Sequence, residues 1–300
     1  MGSFDDWVGR EERATDILAA GPAHLLAASL DREHLDFSLG DEIPPVWHWL
    51  YFLRAVRTAE VGPDGHPPKG GFLPPVPLPR RMRAGGQFEF HRPLRVGDRA
   101  DRRSRIVSVE EKSGGSGRLV FVRVEHEISV GGTVAVVEQE SLVYRDAPPS
   151  GAARPAATSA APAAPGEHRG RRFATNEVLL FRYSALTFNC HRIHYDRDYA
   201  VGGEGYPDLV VQGPLVALLM LEHLHSQRSA ATLRKFTYRA VAPVFCGEQV
   251  TIDEALDSAA GLVRTTARNA RGLDAVVGEA RYDEEVPGVS GQSIFERNPS

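Results

Sequence analysis

The sequence predicts an α+β protein made of two similar halves, each ending in a meander of antiparallel strands. The pattern aromatic-x4-Pro-x3-Gly-acid occurs at residues 88–98 and again at residues 238–248. About three valine-rich segments with near-alternating polarity follow each copy, which is typical of strands with one buried face. A motif repeated with identical spacing, and followed by the same kind of segment, indicates an internal duplication.

The predicted strands fall into two sets of three. The segments are residues 102–109, 119–130 and 133–144 in the first half, and 249–256, 262–269 and 275–282 in the second. Paired or single glycines separate them, as expected for hairpin turns.

The two halves differ in the helices that their sequences predict. Residues 210–227, VVQGPLVALLMLEHLHSQ, form a nearly all-apolar run headed by Gly213-Pro214, which predicts a helix buried on every side. The first half offers a shorter helix at residues 21–31. In the first half, the segment that corresponds to the long helix is residues 70–86. It is rich in proline, which forbids a regular helix. We therefore expect a proline-rich loop there, leaving room for a bulky substrate.

A segment dominated by Ala, Pro, Gly and Ser separates the halves and has no periodic apolar face. We interpret residues 147–170 as a linker between an N-terminal domain, 1–146, and a C-terminal domain, 171–300. The first domain is expected to accommodate substrate without carrying the chemistry, which the second is expected to supply.

Composition narrows the class of protein. The 300 residues are 42% hydrophobic and 25% charged, which is typical of a globular chain, and the net charge of −4 argues against nucleic acid as a partner. The chain has neither a signal-like N-terminus nor an apolar run near membrane-spanning length. Two cysteines are too few for a disulfide framework. We expect a cytoplasmic protein that binds neither membrane nor nucleic acid and that could pair into a homodimer.

Polar side chains concentrate between residues 181 and 200, FRYSALTFNCHRIHYDRDYA. Asn189, His191 and His194 lie at positions i, i+2 and i+5, so a loop between helical turns can bring them to one small volume. Such convergence is how acid/base sites are assembled. A histidine in a mixed segment is also commonly a structural residue, and the residues alone leave both interpretations open.

The run Thr187-x-Asn189-x-His191-x-x-His194 resembles the signature of the hydratase 2, or MaoC-like, family of acyl-thioester hydratases and dehydratases. Thr187 and His194 match the motif, whereas Asn189 stands where an Asp is usual and His191 where an Asn is usual. These departures resemble a two-domain branch, of the mesaconyl-C4-CoA hydratase and mitochondrial-type 3-hydroxyacyl-thioester dehydratase kinds. The resemblance implies a tandem hotdog fold, each half a curved antiparallel sheet, the second wrapped around the long helix.

The resemblance also implies an activity, namely reversible hydration of an enoyl-CoA thioester with no metal and no cofactor beyond the coenzyme A of the substrate. His194 is expected to transfer protons and Asn189 to hold the water, with His191 as a second candidate. Gly213, at the start of the long helix, is expected to contribute an oxyanion hole. The branch suggests a short branched dicarboxylic acyl group, with mesaconyl-C4-CoA or itaconyl-CoA giving citramalyl-CoA.

A substrate with its own carboxylate needs a cationic partner, because burying an unpaired charge is costly. A guanidinium suits a carboxylate best. The sequence offers four candidates without ranking them: Arg182, Arg192, Arg80 and Arg81.

Several other functions stay open at this level. The chain could be a 3-hydroxyacyl-thioester dehydratase acting on fatty acyl or polyketide chains, or a hotdog thioesterase, since a fold does not fix a function. A metal hydrolase would use His191, His194 and Asp196 as ligands. A catalytically inactive acyl-binding or scaffold protein is also open, because the amide of Asn189 cannot act as a Brønsted base.

Overall fold

A computed structural model describes residues 4–34, 36–114, 117–146, 170–228, 231–257 and 261–283. In the first half it contains helix α1 (Ala20–Ser29) and strands β1 (Glu11–Ile17), β2 (Glu42–Ile43), β3 (Arg80–Phe90), β4 (Leu94–Arg95), β5 (Arg99–Gly114), β6 (Gly117–Val130) and β7 (Thr133–Arg145). In the second half it contains helices α2 (Glu177–Leu186) and α3 (Gly213–Gln227) and strands β8 (Arg171–Ala174), β9 (Leu233–Ala240), β10 (Gln249–Asp257), β11 (Leu262–Arg268) and β12 (Asp274–Tyr282).

Ten of these strands form one antiparallel sheet, in the order β1-β5-β6-β7-β3-β9-β12-β11-β10-β8. The second half repeats the strand order of the first in reverse, and the halves join where β3 pairs with β9. At that junction Gln87 faces Thr237, and Phe88 faces Phe236. Gln87 and Thr237 are separated by the same 150 positions as the two copies of the sequence motif. A pseudo-twofold axis therefore passes through this pair, which confirms the duplication and the α+β tandem hotdog architecture.

The long helix α3 packs against β10, β11 and β12 of the second half and against β3 of the first. Its apolar residues are buried on every side, as the sequence predicts. Gly278 of β12 permits the close approach, since a Cβ at that position would lie 3.2 Å from Cε of Met220 and 2.7 Å from the carbonyl oxygen of Thr237. A residue without a side chain is required there for the helix to pack onto the sheet.

The first half has no such helix within the described residues. Residues 51–79 form irregular structure with one short 3₁₀ turn, Thr58–Glu60, and the short helix predicted at 21–31 is α1. The loop prediction for residues 70–86 was wrong for its last seven residues, because β3 begins at Arg80. The prolines all precede residue 80, so the residues after them are free to pair with β7 and β9.

The predicted strands are confirmed, with ends shifted by a few residues. Most of the predicted linker, residues 147–169, lies outside the described residues. Within the described ranges no helix is both long and apolar enough to cross a bilayer.

Candidate active site

A cavity of about 600 Å³ lies between the two halves and is lined by both. The second half contributes the motif residues Asn189, His191 and His194 and the start of α3 at Gly213. The first half contributes residues of the irregular segment and of a sheet face that no helix covers within the described ranges. The structure thus brings together the three predicted motif residues and Gly213, which come from two separate parts of the second half.

The motif segment is a tight turn held by its own polar groups. Helix α2 ends at Leu186, and Thr187 Oγ1 donates a hydrogen bond back to the carbonyl oxygen of Tyr183 at 2.7 Å. The backbone N–H of Asn189 donates to the carbonyl oxygen of Ser184 at 2.8 Å, and the side-chain Oδ1 of Asn189 accepts the backbone N–H of His191 at 3.1 Å. These local bonds explain why a non-helical stretch after α2 can fix several side chains at the cavity wall.

His194 has the environment of a neutral proton acceptor. It is buried, and its Nδ1 lies 2.7 Å from the carbonyl oxygen of Val210. A carbonyl can only accept, so Nδ1 carries the proton and Nε2 carries the lone pair. No protein group in the described part of the chain hydrogen-bonds Nε2. Burial, and secondarily the neighbouring His191, lower the pKa of His194 from 6.5 to about 3, so the ring is neutral at physiological pH.

His191 is also buried and lies between His194 and an acidic group. Its ring centroid is 5.3 Å from that of His194 in an edge-on arrangement, and its Nε2 is 3.6 Å from Oε1 of Glu204. Glu204 is shared with Arg80, whose Nε lies 3.3 Å from its other oxygen. Burial would raise the pKa of Glu204, but His191 and Arg80 outweigh burial and lower this pKa. The group next to His191 is therefore an ionised carboxylate.

Gly213 occupies the first turn of α3 at the cavity wall. The first backbone N–H groups of a helix have no intrahelical partner and lie at the positive end of the helix dipole. A Cβ added at Gly213 would approach nothing closer than the Arg83 carbonyl oxygen at 4.0 Å, so space surrounds this backbone. Gln212, the preceding residue, anchors the helix start by donating from Nε2 to the Leu180 carbonyl at 3.0 Å and to Ser184 Oγ at 2.9 Å.

The first half adds an aspartate–histidine pair that the sequence analysis missed. His66 Nδ1 lies 2.9 Å from Oδ2 of Asp64, and the His66 ring centroid is 4.0 Å from that of His191. Burial lowers the pKa of His66 to about 4, although the hydrogen bond to Asp64 opposes this shift. His66 lies 125 residues before His191, so only the fold brings the two rings together. The one local signal is the turn sequence PDGH, with an aspartate two residues before the histidine.

This pair is held against the motif by backbone contacts. The Arg192 N–H donates to the Asp64 carbonyl at 2.9 Å, and Arg192 Nη1 donates to the Pro63 carbonyl at 2.9 Å. Cys190 Sγ lies 2.6 Å from the carbonyl oxygen of Gly65. Gly65 has a φ of +87°, and a Cβ there would lie 1.8 Å from the Cys190 carbonyl oxygen. Glycine is therefore required at position 65. Several contacts together fix the position of the loop relative to the motif.

The four predicted arginines have different surroundings. Arg182 is exposed on α2, and neither it nor Arg192 or Arg80 lines the cavity. Arg192 pairs with Asp196 at 2.7 Å and stacks on Tyr199, while Arg80 is buried against Glu204. Arg81 does line the cavity. Of the four candidates, the structure brings only Arg81 to the same cavity as the motif.

Charged side chains line the first-half end of the cavity, which the sequence analysis also missed. Glu138 accepts hydrogen bonds from His48 Nε2 at 2.9 Å, from Trp49 Nε1 at 3.1 Å and from Arg83 Nη2 at 3.0 Å. Arg83 Nε also donates to Glu140 at 2.6 Å. Burial would raise the pKa of Glu140, but Arg83 and a neighbouring histidine outweigh it and lower the pKa to about 2. We call this group, with His126 and Arg102, the charged floor.

The strand registers show that the charged floor stands where a helix packs in the other half. Glu138 pairs with Phe88 on β3, and Gly278 pairs with Tyr238 on β9, so Glu138 and Gly278 are equivalent under the pseudo-twofold axis. In the same way the registers equate Glu140 with Ala280, His126 with Thr265 and Arg102 with Ile252. Positions that are small or apolar beneath α3 are charged or polar where the helix is missing. The first-half end of the cavity is therefore a polar surface.

A cation site is the remaining chemical option for the histidines. Within the described residues, Asp64, His66 and His191 place one potential ligand atom each within 4.8 Å of one another. Asp196 would be a ligand in the metal-hydrolase interpretation. Its side chain instead accepts hydrogen bonds from Arg192 and from the backbone N–H of Tyr199. The charge of Arg81 acts on His66 and lowers its pKa, and the same charge opposes a cation at this position.

Comparison with known proteins identifies the family. The profile of the family described as hydroxyacyl-thioester dehydratase type 2 matches residues 46–246. The chain belongs to this family. A relative from Chloroflexus aurantiacus, named mesaconyl-C(4)-CoA hydratase, is 42% identical over 239 residues, which cover 80% of this chain and 84% of the relative. The resemblance to the two-domain hydratase and dehydratase branch is thereby confirmed, as is the expectation that this member of the family is a hydro-lyase.

Solved structures support the fold of this family member. A MaoC-like dehydratase from Phytophthora capsici superposes with a TM-score of 0.66 at 18% identity, covering 92% of this chain and 97% of that chain. A protein of Mycobacterium tuberculosis described as having a double hotdog fold gives a TM-score of 0.51 at 14% identity, covering 92% and 96%. Both agree with the tandem hotdog architecture built from the strand order.

Proposed function

We propose that this protein catalyses the reversible addition of water to an enoyl-CoA thioester with a short branched dicarboxylic acyl group. The substrate would be mesaconyl-C4-CoA or itaconyl-CoA and the product citramalyl-CoA. The observation that carries the proposal is the state of His194. Its Nδ1 is committed to the Val210 carbonyl, so a neutral imidazole presents the basic Nε2 beside a cavity that also holds Asn189 and Gly213.

In the hydration of mesaconyl-C4-CoA, whose double bond is conjugated with the thioester, His194 Nε2 accepts a proton from water while the water oxygen bonds to the β carbon. The π electrons move toward the thioester, and the resulting enolate oxygen is stabilised by the Gly213 N–H and the dipole of α3. The imidazolium then returns its proton to the α carbon. One water has been added, and His194 is neutral again.

Asn189 has a supporting role in this scheme. Its Oδ1 accepts the His191 N–H, which leaves the Nδ2 hydrogens to hold the attacking water. Because an amide cannot exchange protons, a single imidazole has to carry both transfers. The proposed reaction needs no cofactor beyond the coenzyme A of the substrate. A cytoplasmic location and a homodimer stay predictions.

The name of the Chloroflexus relative supports a dicarboxylic substrate, and so does the charged floor. An alkyl tail extending to that end of the cavity would strip water from the partly exposed Arg83 and Glu140 without replacing their polar contacts. A short polar acyl group avoids this cost. The alternative is a 3-hydroxyacyl-thioester dehydratase acting on fatty acyl or polyketide chains, which the name of the matching family favours.

A substrate panel tests the proposal. Purified protein is given mesaconyl-C4-CoA, itaconyl-CoA and crotonyl-CoA, and both the gain of one water by the acyl group, measured by mass spectrometry, and the release of free thiol are followed. We expect the dicarboxylic thioesters to be hydrated faster than crotonyl-CoA, without thiol release. Faster turnover of crotonyl-CoA would favour the fatty acyl alternative, and thiol release would indicate a thioesterase. Binding of all three without turnover would indicate an inactive acyl-binding protein.

A further inference from the structure

The chemistry of the proposed substrate places its free carboxylate close to the reacting carbon. In mesaconyl-C4-CoA and in citramalyl-CoA this carboxylate is bonded directly to the β carbon, which is also the carbon that carries the hydroxyl group of the product. Its oxygens therefore lie within roughly 2.5 Å of that carbon, given ordinary bond lengths. The attacking water must be within hydrogen-bond reach of His194, so the group that binds the carboxylate must lie beside the motif.

Most cations near the motif are already neutralised. Arg80 is paired with Glu204, Arg83 with Glu138 and Glu140, and Arg192 with Asp196. Three arginines line the cavity without a carboxylate at ion-pair distance in the described parts of the chain: Arg54, Arg81 and Arg102.

The surroundings of these three arginines show which of them lies beside the histidines. Arg54 is exposed, next to Leu53 at the surface. Arg102 lies on β5 in the charged floor, where Glu12 and Asp16 of β1 act on it together with the floor glutamates. Arg81, at the start of β3, lines the cavity together with His66 and His191, and its charge lowers the pKa of His66. Arg81 is thus the cavity cation next to the histidine cluster.

His66 lies near the proposed catalytic base His194, with the His191 ring between them. Its ring centroid is 4.0 Å from that of His191, which in turn is 5.3 Å from that of His194. Asp64 fixes the ring by accepting both the His66 backbone N–H at 3.0 Å and Nδ1 at 2.9 Å. With Nδ1 committed to Asp64, Nε2 is the nitrogen left for a ligand.

We infer that Arg81 and His66, both from the first half, form the subsite that binds the free carboxylate of the acyl group. This inference rests on the proposed hydratase function and identifies the residues that select its substrate. The guanidinium supplies fixed positive charge and paired donors. A carboxylate beside His66 also favours the doubly protonated imidazolium, which then donates from Nδ1 to Asp64 and from Nε2 to the substrate. The first half would therefore select the substrate, while the second half carries out the chemistry.

Two substrates that differ in the carboxylate test this assignment. The Arg81→Gln and His66→Gln variants are compared with the unaltered protein on mesaconyl-C4-CoA and on crotonyl-CoA, which lacks the carboxylate. For each variant we expect kcat/KM on mesaconyl-C4-CoA to fall about 10- to 100-fold, mainly through KM, as for the loss of one charge-assisted hydrogen bond. The rate on crotonyl-CoA should stay within about threefold.

Arg81→Lys and Arg105→Gln serve as controls. Arg81→Lys keeps the charge and should recover part of the loss, and it also replaces Arg81→Gln if that variant does not fold. Arg105 is an exposed arginine of β5 outside the cavity, so its change to Gln should leave both substrates unaffected.

Two results would overturn the assignment. One is an equal loss on both substrates in Arg81→Gln and His66→Gln, which would mean that these residues support the fold or the chemistry and not carboxylate recognition. The other is stoichiometric zinc in the purified protein that His66→Gln abolishes. If the unaltered protein hydrates neither thioester, the proposed function itself fails, and that outcome is distinct from both.

Discussion

Acidification distinguishes a buried neutral His194 from an ordinary histidine. Burial and the neighbouring His191 hold the pKa of His194 at about 3, against an ordinary value of 6.5. At about pH 5, a base with a pKa of 3 is about 99% deprotonated, whereas one with a pKa of 6.5 is only about 3% deprotonated. We therefore expect kcat/KM for crotonyl-CoA hydration, which involves no substrate carboxylate, to be nearly constant from about pH 7 to about pH 5.

The same shift lowers stability in acid. Because the pKa of His194 is lower in the folded protein than in the unfolded chain, its contribution is fully present above pH 6.5 and is lost as the pH falls from 6.5 toward 3. At about pH 5 the loss amounts to about 2 kcal/mol of unfolding free energy. The rate measurement is therefore paired with circular dichroism at each pH. A decline of about 25-fold centred near pH 6.5, in protein that is still folded, would refute the assignment of a buried neutral base.

Two substitutions test the contacts that hold the site. Gly65→Ala places a Cβ 1.8 Å from the Cys190 carbonyl oxygen, so it should displace the first-half loop and lower both the melting temperature and kcat/KM. Gly9→Ala has the same φ of +87° with nothing within 4 Å, and should cost only about 1 kcal/mol of backbone strain. Equal effects of the two changes would contradict the close packing of the Gly65 loop against the motif. Glu138→Ala removes the acceptor of three donors, the buried His48 and the partly buried Trp49 and Arg83, and should lower the unfolding free energy in urea by about 3–5 kcal/mol. Glu89→Ala, which removes an exposed pair with Lys235, should cost no more than about 1 kcal/mol, and a similar small value for Glu138→Ala would show that the charged floor is solvated.

Much of the fold is encoded in patterns short enough to recognise in one sequence. The meander strands alternate in polarity, and α3 is continuously apolar from Leu215 to Leu221, so both can be recognised from local sequence. Strands β1 and β8 were not predicted, because they are mostly exposed edge strands with charged residues such as those of Glu11–Ile17. Strand β3 was not predicted either, because its first seven residues fall in the proline-rich segment that was expected to be a loop.

The candidate site divides in the same way. Asn189, His191 and His194 lie within six residues, so their spacing alone predicts that they converge. Asp64 and His66 contact them only because the first-half loop folds across the domain junction, and no local pattern encodes a contact over 125 positions. The charged floor was missed for a different reason, since TVAVVEQESLVY predicts a half-buried strand but does not show that its glutamates face a cavity.

The central claim, that the His194 imidazole transfers the protons of hydration, is tested most directly by His194→Gln. This substitution keeps a polar side chain of similar size and removes the proton acceptor. With mesaconyl-C4-CoA as substrate, and His91→Gln as a matched change at an exposed histidine outside the cavity, we expect the hydration rate of His194→Gln to fall by about 10²- to 10⁴-fold and that of His91→Gln to be unchanged. A folded His194→Gln protein that hydrates mesaconyl-C4-CoA at the rate of the unaltered enzyme would contradict the claim.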